Sequence, residues 1–299
     1  MSSRVAATGF QPRTRPSFAG AIRSELLKIR RQAMTWVLLA VIGAVAAVVL
    51  GETLASGRPA LDARASAYYF NYLSVAQALF DVTSGVFLLA TTARLIGMEY
   101  SGGTVRIVLA RGTARLELLG AQLAALALCG LLLLAAFVAV ATAALGIAVW
   151  TWNGSLSPLT WLPAAAGPDT GICLLVALVS TAVCILLATA AAAIGRSLPF
   201  AVGAALAFFP ADSFGTIVMY LLGKATHDYG FWYSLTQWFL GPSLNQLAAT
   251  LQTDHASAAL LPAPLVKVTA DHLWTVIGAW SELLAIAAVL LTWRRDVLE

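Results

Sequence analysis

The chain has 299 residues, of which 60% are hydrophobic and 11% charged. A soluble domain carries about 25% charged residues, so a chain this poor in charge cannot cover a water-facing surface and reads as a membrane protein. Its formal net charge of +4, from 18 basic and 14 acidic side chains, is no indication of nucleic acid here, because in a membrane protein the location of the charges matters more than their sum.

Residues 1–17 include Pro12, Pro16 and several arginines and read as a disordered basic leader. From Phe18 the pattern changes. Ala19, Ile22, Leu26, Ile29 and Ala33 recur at three- and four-residue spacing, while Arg23, Lys28, Arg30 and Arg31 fill other faces. Residues 18–33 are therefore expected to form an amphipathic helix at the cytoplasmic interface, with its arginines near anionic lipid headgroups. A frayed basic tail is the plainer alternative.

A spanning helix needs about 20 mainly apolar residues. Six segments meet or approach this: Met34–Leu50, Leu73–Leu95, Leu118–Trp150, Ile172–Ile194, Leu198–Leu222 and Leu273–Trp293. The expected fold class is all-α, a polytopic six-helix membrane bundle over residues 34–299. The third segment exceeds one span and must tilt or extend beyond the hydrocarbon. The fifth contains Pro210, which should kink or split it. A cleaved signal peptide in place of the first span is disfavoured by the 33 residues ahead of it, although Leu54-Ala55-Ser56-Gly57 is mildly cleavage-like. Cys129, Cys173 and Cys184 all sit in apolar runs without metal-ligand spacing and read as small buried hydrophobes. Gly43 with Ala47, Ala188 with Ala192, and Gly203 with Ala207 offer small-x-x-x-small contacts, a weak signal in so alanine-rich a chain.

The positive-inside rule sets the orientation. With six spans and a cytoplasmic N-terminus, the cytoplasm receives Arg4, Arg13, Arg15, Arg23, Lys28, Arg30, Arg31, Arg94, Arg106, Arg111, Arg115, Arg196, Arg294 and Arg295. Only Arg58, Arg64, Lys224 and Lys267 fall outside. Both termini are expected to be cytoplasmic. The longest external connection, residues 223–272, crowds Phe231, Trp232, Tyr233, Trp238 and Phe239 into its first half. Gly241-Pro242 should then break the chain before Leu244, Leu247 and Leu251 resume helical spacing. Two short helices dipping into the outer interface or packing over the bundle mouth, or a helix resting on the surface, fit equally.

Three acids fall within spans: Asp81, Asp212 and Glu282. Asp81 and Glu282 lie roughly 12–14 Å from the outer ends and Asp212 roughly 15 Å, at about 1.5 Å per residue. No basic residue lies at comparable depth. Such acids are costly and tend to face cavities or neighbouring helices, so they are candidates for a route favouring cationic or amphipathic cargo. The alternative is a neutral carboxyl bonded to a nearby hydroxyl.

The most informative stretch is IGMEYSGGTVRIVLARGTARLELLG, residues 96–120. Gly102 and Gly103 end the second span; Thr104 can cap a short helix through Ala110, with Val105, Val108 and Leu109 as its apolar contacts. Gly112 stops it and Thr113 can cap the next span. Arg106, Arg111 and Arg115 keep the element basic, and Glu99 is placed to pair with Arg106 or Arg111. The expected shape is a helix–short helix–helix elbow suited to pushing against a soluble partner.

Glu99, Tyr100, the Gly103-Thr104 pair, Arg106, and Arg111-Gly112 followed by Arg115 resemble the signature of ATP-binding-cassette exporter permeases of the type-2 class. The run SELLKIRRQAMTWVLL, Ser24–Leu39, is similar to that family's interfacial approach to its first span. The sequence departs from the family at Gln122, where a basic residue is common. The resemblance implies a non-catalytic permease in the plasma membrane, of bacterial type. It would pair with a second permease copy or homologue and with two cytoplasmic ATPase subunits. It also implies that the loop over residues 96–117 and the interfacial helix transmit ATPase closure. ATP and Mg would be bound by the partner and no cofactor by this chain, which carries no Gly-x-x-x-x-Gly-Lys-Ser/Thr phosphate loop.

Two other classes remain open. A membrane-embedded enzyme needs clustered catalytic groups, whereas His227, His255 and His272 are spread along one external loop and no metalloprotease or serine-hydrolase motif is present. A stand-alone secondary transporter or channel usually shows repeats or paired broken helices, and only the fifth segment looks broken.

Overall fold

A computed structural model of the chain describes residues 17–57, 65–101, 115–160, 162–252 and 261–294, with Tyr100 and Arg294 described by backbone alone. These residues form ten α-helices and no strand. Helix α1, Phe18–Arg31, is capped by Ser17, whose hydroxyl accepts from the Gly20 N–H. Gln32 leaves helical geometry, and α2, Ala33–Ala55, starts at once. The Trp36 indole donates to the Arg30 carbonyl at 2.8 Å and fixes this elbow.

The long helices that follow are α3, Ala65–Ser101; α4, Arg115–Asn153; α6, Ala166–Gly195; and α7, Leu198–Thr226. The short α5, Ser157–Thr160, lies between α4 and α6. After α7 come α8, Tyr229–Leu235, a 3₁₀ turn at Thr236–Trp238, α9, Leu240–Leu251, and α10, Ala270–Arg294. Six of these helices, α2, α3, α4, α6, α7 and α10, are long and apolar enough to cross a membrane. The protein is a multi-pass membrane protein.

Within the bundle α3 and α6 are central. The most apolar windows of these two are 61% and 56% buried, against 11–22% for the other four. Their shared core includes Phe87, Leu88, Leu95, Val176, Ala188 and Ala192. Ala188 and Ala192 are fully buried, as their spacing suggested, whereas a side chain at Gly43 or Gly203 would meet nothing, so those two pairs make no contact within the chain. The peripheral helices turn large aliphatic and aromatic residues outward, among them Val48, Leu132, Ile147, Phe214, Leu283 and Ile286. In water such a surface would aggregate; in a bilayer it is the solvated one.

Three expectations are corrected. Helix α3 runs unbroken from Ala65 through Ser101, beyond both ends of the expected Leu73–Leu95 span, so Arg94 is a half-buried helical residue whose Nε has no hydrogen-bond partner among the described residues. Helix α7 continues through Pro210 without splitting, since the ring removes one backbone bond from an otherwise continuous ladder. Gly241 and Pro242 open α9 where a break was expected; a proline in the first turn has no helical acceptor to miss. Leu240, Leu244 and Leu247 then bury themselves in the main core, so α9 is an integral plug and not a helix resting on the surface.

Candidate functional site

Helix α1 crosses the beginning of α4, with Phe18 over Gly120. Its buried residues are Glu25 and Ile29, and Ile22 and Leu26 are half-buried beside them. Arg23, Arg30 and Arg31 face outward. The inward face therefore holds an acid, which an amphipathic helix tolerates only with a partner. That partner is Lys28, whose ammonium donates to Glu25 Oε1 at 2.6 Å and to Glu99 Oε1 at 2.7 Å. The Gln122 amide donates to Glu99 Oε2 at 2.6 Å. One junction thus ties α1 to the end of α3 and the start of α4, the two helices that bracket residues 102–114.

Glu25 is 1% exposed and Glu99 8%, while the Lys28 side chain remains 44% exposed. Burial pushes the Glu25 carboxyl above its usual range; the Lys28 hydrogen bond opposes this, and the Glu99 charge adds to it. Partial burial alone would lower the Lys28 ammonium, but its bonds to Glu25 and Glu99 outweigh that and raise it. Lys28 is a firm cation shared by two carboxylates. The amide at Gln122 keeps the donor that a basic residue would supply there, and the charge comes from Lys28 on a different helix.

The rest of the expected coupling set divides. Glu99 is buried and bonded to Lys28 and Gln122; Arg106 and Arg111, its expected partners, lie outside the described residues. Tyr100 sits in the last turn of α3, and Arg115 opens α4. Gly103, Thr104, Arg106, Leu109, Arg111 and Gly112, with the short helix expected from Thr104 to Ala110, lie outside the described residues, as do residues 1–16.

The intramembrane acids have unlike surroundings. Asp81, on α3, is 7% exposed and accepts from the Gln77 amide at 2.8 Å, with the Ser180 hydroxyl of α6 beside it. Asp212, on α7, accepts the backbone N–H of Gly241 and so caps the plug helix α9. Glu282 lies at the midpoint of α10, about 18 Å from either end, and is exposed. A fourth acid, Asp169 in the first turn of α6, escaped the sequence reading; it is fully buried and neither carboxylate oxygen has a partner. Asp81, Asp212 and Glu282 lie on three different helices, α3, α7 and α10. Asp212→Ala is expected to destabilise the protein by about 1 kcal/mol, the usual value of a helix cap, with Asp212→Asn close to wild type. Thermal unfolding in detergent reads this directly, and an unchanged Ala variant would remove the capping role.

The plug is fastened on several sides. The Thr236 hydroxyl accepts from the Leu265 N–H at 2.9 Å, and the Asn245 amide donates to the Pro262 carbonyl at 2.8 Å. The Trp280 indole donates to the Trp238 carbonyl at 3.1 Å, and His272 Nε2 lies 3.2 Å from the Gln237 carbonyl. His227 ends α7 in the left-handed region, at φ 57°, and is exposed.

No curated protein matches the sequence. The family model described as ABC-2 family transporter protein matches residues 21–209. The match runs from α1 into α7 and includes every member of the Glu25–Lys28–Glu99–Gln122 junction. With six apolar helices and this match over more than half its length, the chain belongs to the ABC-2 transporter family.

Proposed function

We propose that this chain is the membrane subunit of an ATP-driven exporter, forming half of the translocation pathway and coupling to a separate cytoplasmic ATPase. The observation that carries this reading is the buried junction of α1, α3 and α4 at the base of residues 102–114. A force applied to that segment or to α1 would pass directly into α3, one of the two central helices. In this reading α1, the 102–114 segment and the turn at Arg196 face the cytoplasm of a plasma membrane, together with both termini. Arg23, Lys28, Arg30, Arg31, Arg115 and Arg196 gather at that end, in keeping with the positive-inside rule. Two ATPase subunits, each binding ATP and Mg, would serve two permease copies.

The exposed Glu282 supports a second copy. A carboxylate facing acyl chains at mid-membrane is strongly unfavourable, so a protein or aqueous neighbour is needed there. The second permease half, or the path between the halves, provides one.

Affinity purification in mild detergent from cells that also express the candidate ATPase tests the assignment. Recovery of the ATPase in amounts comparable to the permease is expected. Its consistent absence, with the permease intact, would overturn coupling and favour a transporter that works alone.

A further inference from the structure

Helix α7 begins beside Ser101, whose hydroxyl accepts the Leu198 N–H at 3.0 Å, so its last turn lies at the end of the bundle away from α1. That turn and α8 gather one lysine and three tyrosines. The Lys224 ammonium lies 5.0 Å from the centre of the Tyr220 ring, within reach of a cation–π contact. Tyr220 stacks on Tyr233 of α8 at 6.1 Å between ring centres, and Tyr229 meets Tyr233 edge-on at 5.6 Å. Lys224 is within electrostatic range of all three phenols. The arrangement is held in place: a side chain at Gly223 would come within 2.9 Å of the Tyr233 ring, and the Trp232 indole donates to the Thr226 hydroxyl at 2.8 Å.

An ammonium offers three donors and each phenol one. Among the described residues Lys224 has no carboxylate partner, and none of the three phenols donates to a protein acceptor. Asp228, four positions on, turns its carboxylate to the Phe231 N–H at 3.1 Å and caps α8. Lys224, Tyr220 and Tyr229 are exposed, so the cluster presents donors and an uncompensated positive charge to its surroundings. Along α7 from it, Leu221, Ile217 and Phe214 are exposed as well. With Lys224 they recur at the three- and four-residue spacing of one helix face. At about 1.5 Å per residue this apolar stripe runs roughly 15 Å from the ammonium, half the thickness of a hydrocarbon core.

We propose that this stripe and its polar head hold one anionic phospholipid, the phosphate accepting from Lys224 and the tyrosine hydroxyls and an acyl chain lying along Leu221, Ile217 and Phe214. A phosphodiester supplies acceptor oxygens and the missing negative charge at the level where lysine and tyrosine meet a bilayer surface. A headgroup with net negative charge, such as phosphatidylglycerol, is selected over phosphatidylcholine, whose own ammonium competes with Lys224 for the phosphate. Trp150 provides the contrast. It is exposed at the same end of the bundle, on α4, which carries no lysine or arginine beyond Arg115 at its opposite end. The site does not depend on the exporter reading.

The test photolabels the full-length permease in nanodiscs of phosphatidylcholine with trace phosphatidylglycerol or phosphatidylcholine, each bearing a diazirine on the acyl chain close to the glycerol. Crosslinked peptides are mapped by mass spectrometry. Over residues 214–233 the phosphatidylglycerol probe is expected to label about fivefold more than the phosphatidylcholine probe, the scale of one lysine at an anionic surface. At Trp150 the two probes should label alike. Lys224→Gln should bring 214–233 to the Trp150 ratio at an unchanged melting temperature, and Lys224→Arg should keep the preference. Tyr229→Phe with Tyr233→Phe, which retain the rings and remove two donors, should lose part of it. Equal labelling by the two probes over 214–233, or a preference that survives Lys224→Gln, would overturn the site. Dissociation of a permease dimer by Lys224→Gln, with labelling unchanged, would also overturn it and assign this face to a second copy of the chain.

Discussion

Replacing Lys28 with methionine is expected to lower the melting temperature of the detergent-solubilised permease by about 2–8 °C and to reduce cargo-stimulated ATP hydrolysis by the assembled complex several-fold. Removing one partner of a fully buried ion pair costs about 3–5 kcal/mol. Lys28 keeps 44% of its side-chain exposure, so solvent screens part of this and about 1–2 kcal/mol remains; at roughly 2–4 °C per kcal/mol that gives the stated range. The loss should be only partly a matter of contacts. Methionine leaves Glu25 and Glu99 buried with no cation between them, and their repulsion pushes α1 off the base of α3. Adding Glu25→Gln to the Lys28→Met variant removes one of the two charges and should restore part of the melting temperature, a non-additivity that reports direct coupling. If melting falls while ATPase stimulation is untouched, the junction is a tether and not a transmission element.

The six spans were legible because hydropathy summed over about 20 residues is a strong signal. Their order of burial was not. Helix α6 is as apolar as α4, with mean hydropathies of 2.7 and 2.8, yet one lies in the core and the other on the rim. In a bilayer both the packed face and the lipid face are apolar, so the amphipathic stripe that marks the buried side of a soluble helix is absent. The start of α3 was missed for a related reason. Ala65–Tyr72 is rich in tyrosine and carries Asn71, which lowers hydropathy, although Tyr68 and Tyr72 are buried and Tyr68 meets Trp152 edge-on.

The site was legible in outline, but not the contacts that join segments far apart in sequence. Glu99 stood out by its place in the family-like stretch, but its nearest basic neighbours in sequence were the natural partners to expect. Lys28 is 71 positions away, and no local pattern connects the two. Glu25 sits among basic residues on α1 and nothing local marks it as inward; only the approach of α3 and α4 makes it an inward acid. Asp169 follows Gly167-Pro168, a pair that reads as a turn, whereas the proline occupies the first turn of α6. Asp212 was visible as an intramembrane acid, but its capping of Gly241 spans 29 positions and depends on where the plug enters.

Gly130→Leu is expected to be among the most damaging changes available in the bundle, and its cause lies in one interhelical contact. A Cβ at Gly130 would sit 2.6 Å from the Thr181 methyl and 3.7 Å from Leu88, so α4 and α6 approach more closely here than any side chain allows. Overpacking of this kind costs about 1–3 kcal/mol, and a melting point lower by roughly 2–12 °C follows. Gly130→Ala separates packing from helix propensity. Alanine favours a helix over glycine by about 1 kcal/mol, so a position without the contact should gain stability; Gly203, whose Cβ would meet nothing, serves as that control. At Gly130 the same change should destabilise, and adding Thr181→Ser, which removes the clashing methyl, should recover the loss. The crossing also sits one turn from Leu134 and Ala177, both of which line a cavity between α3, α4 and α6. A stable Gly130→Leu variant would mean that the two helices are not held at this contact.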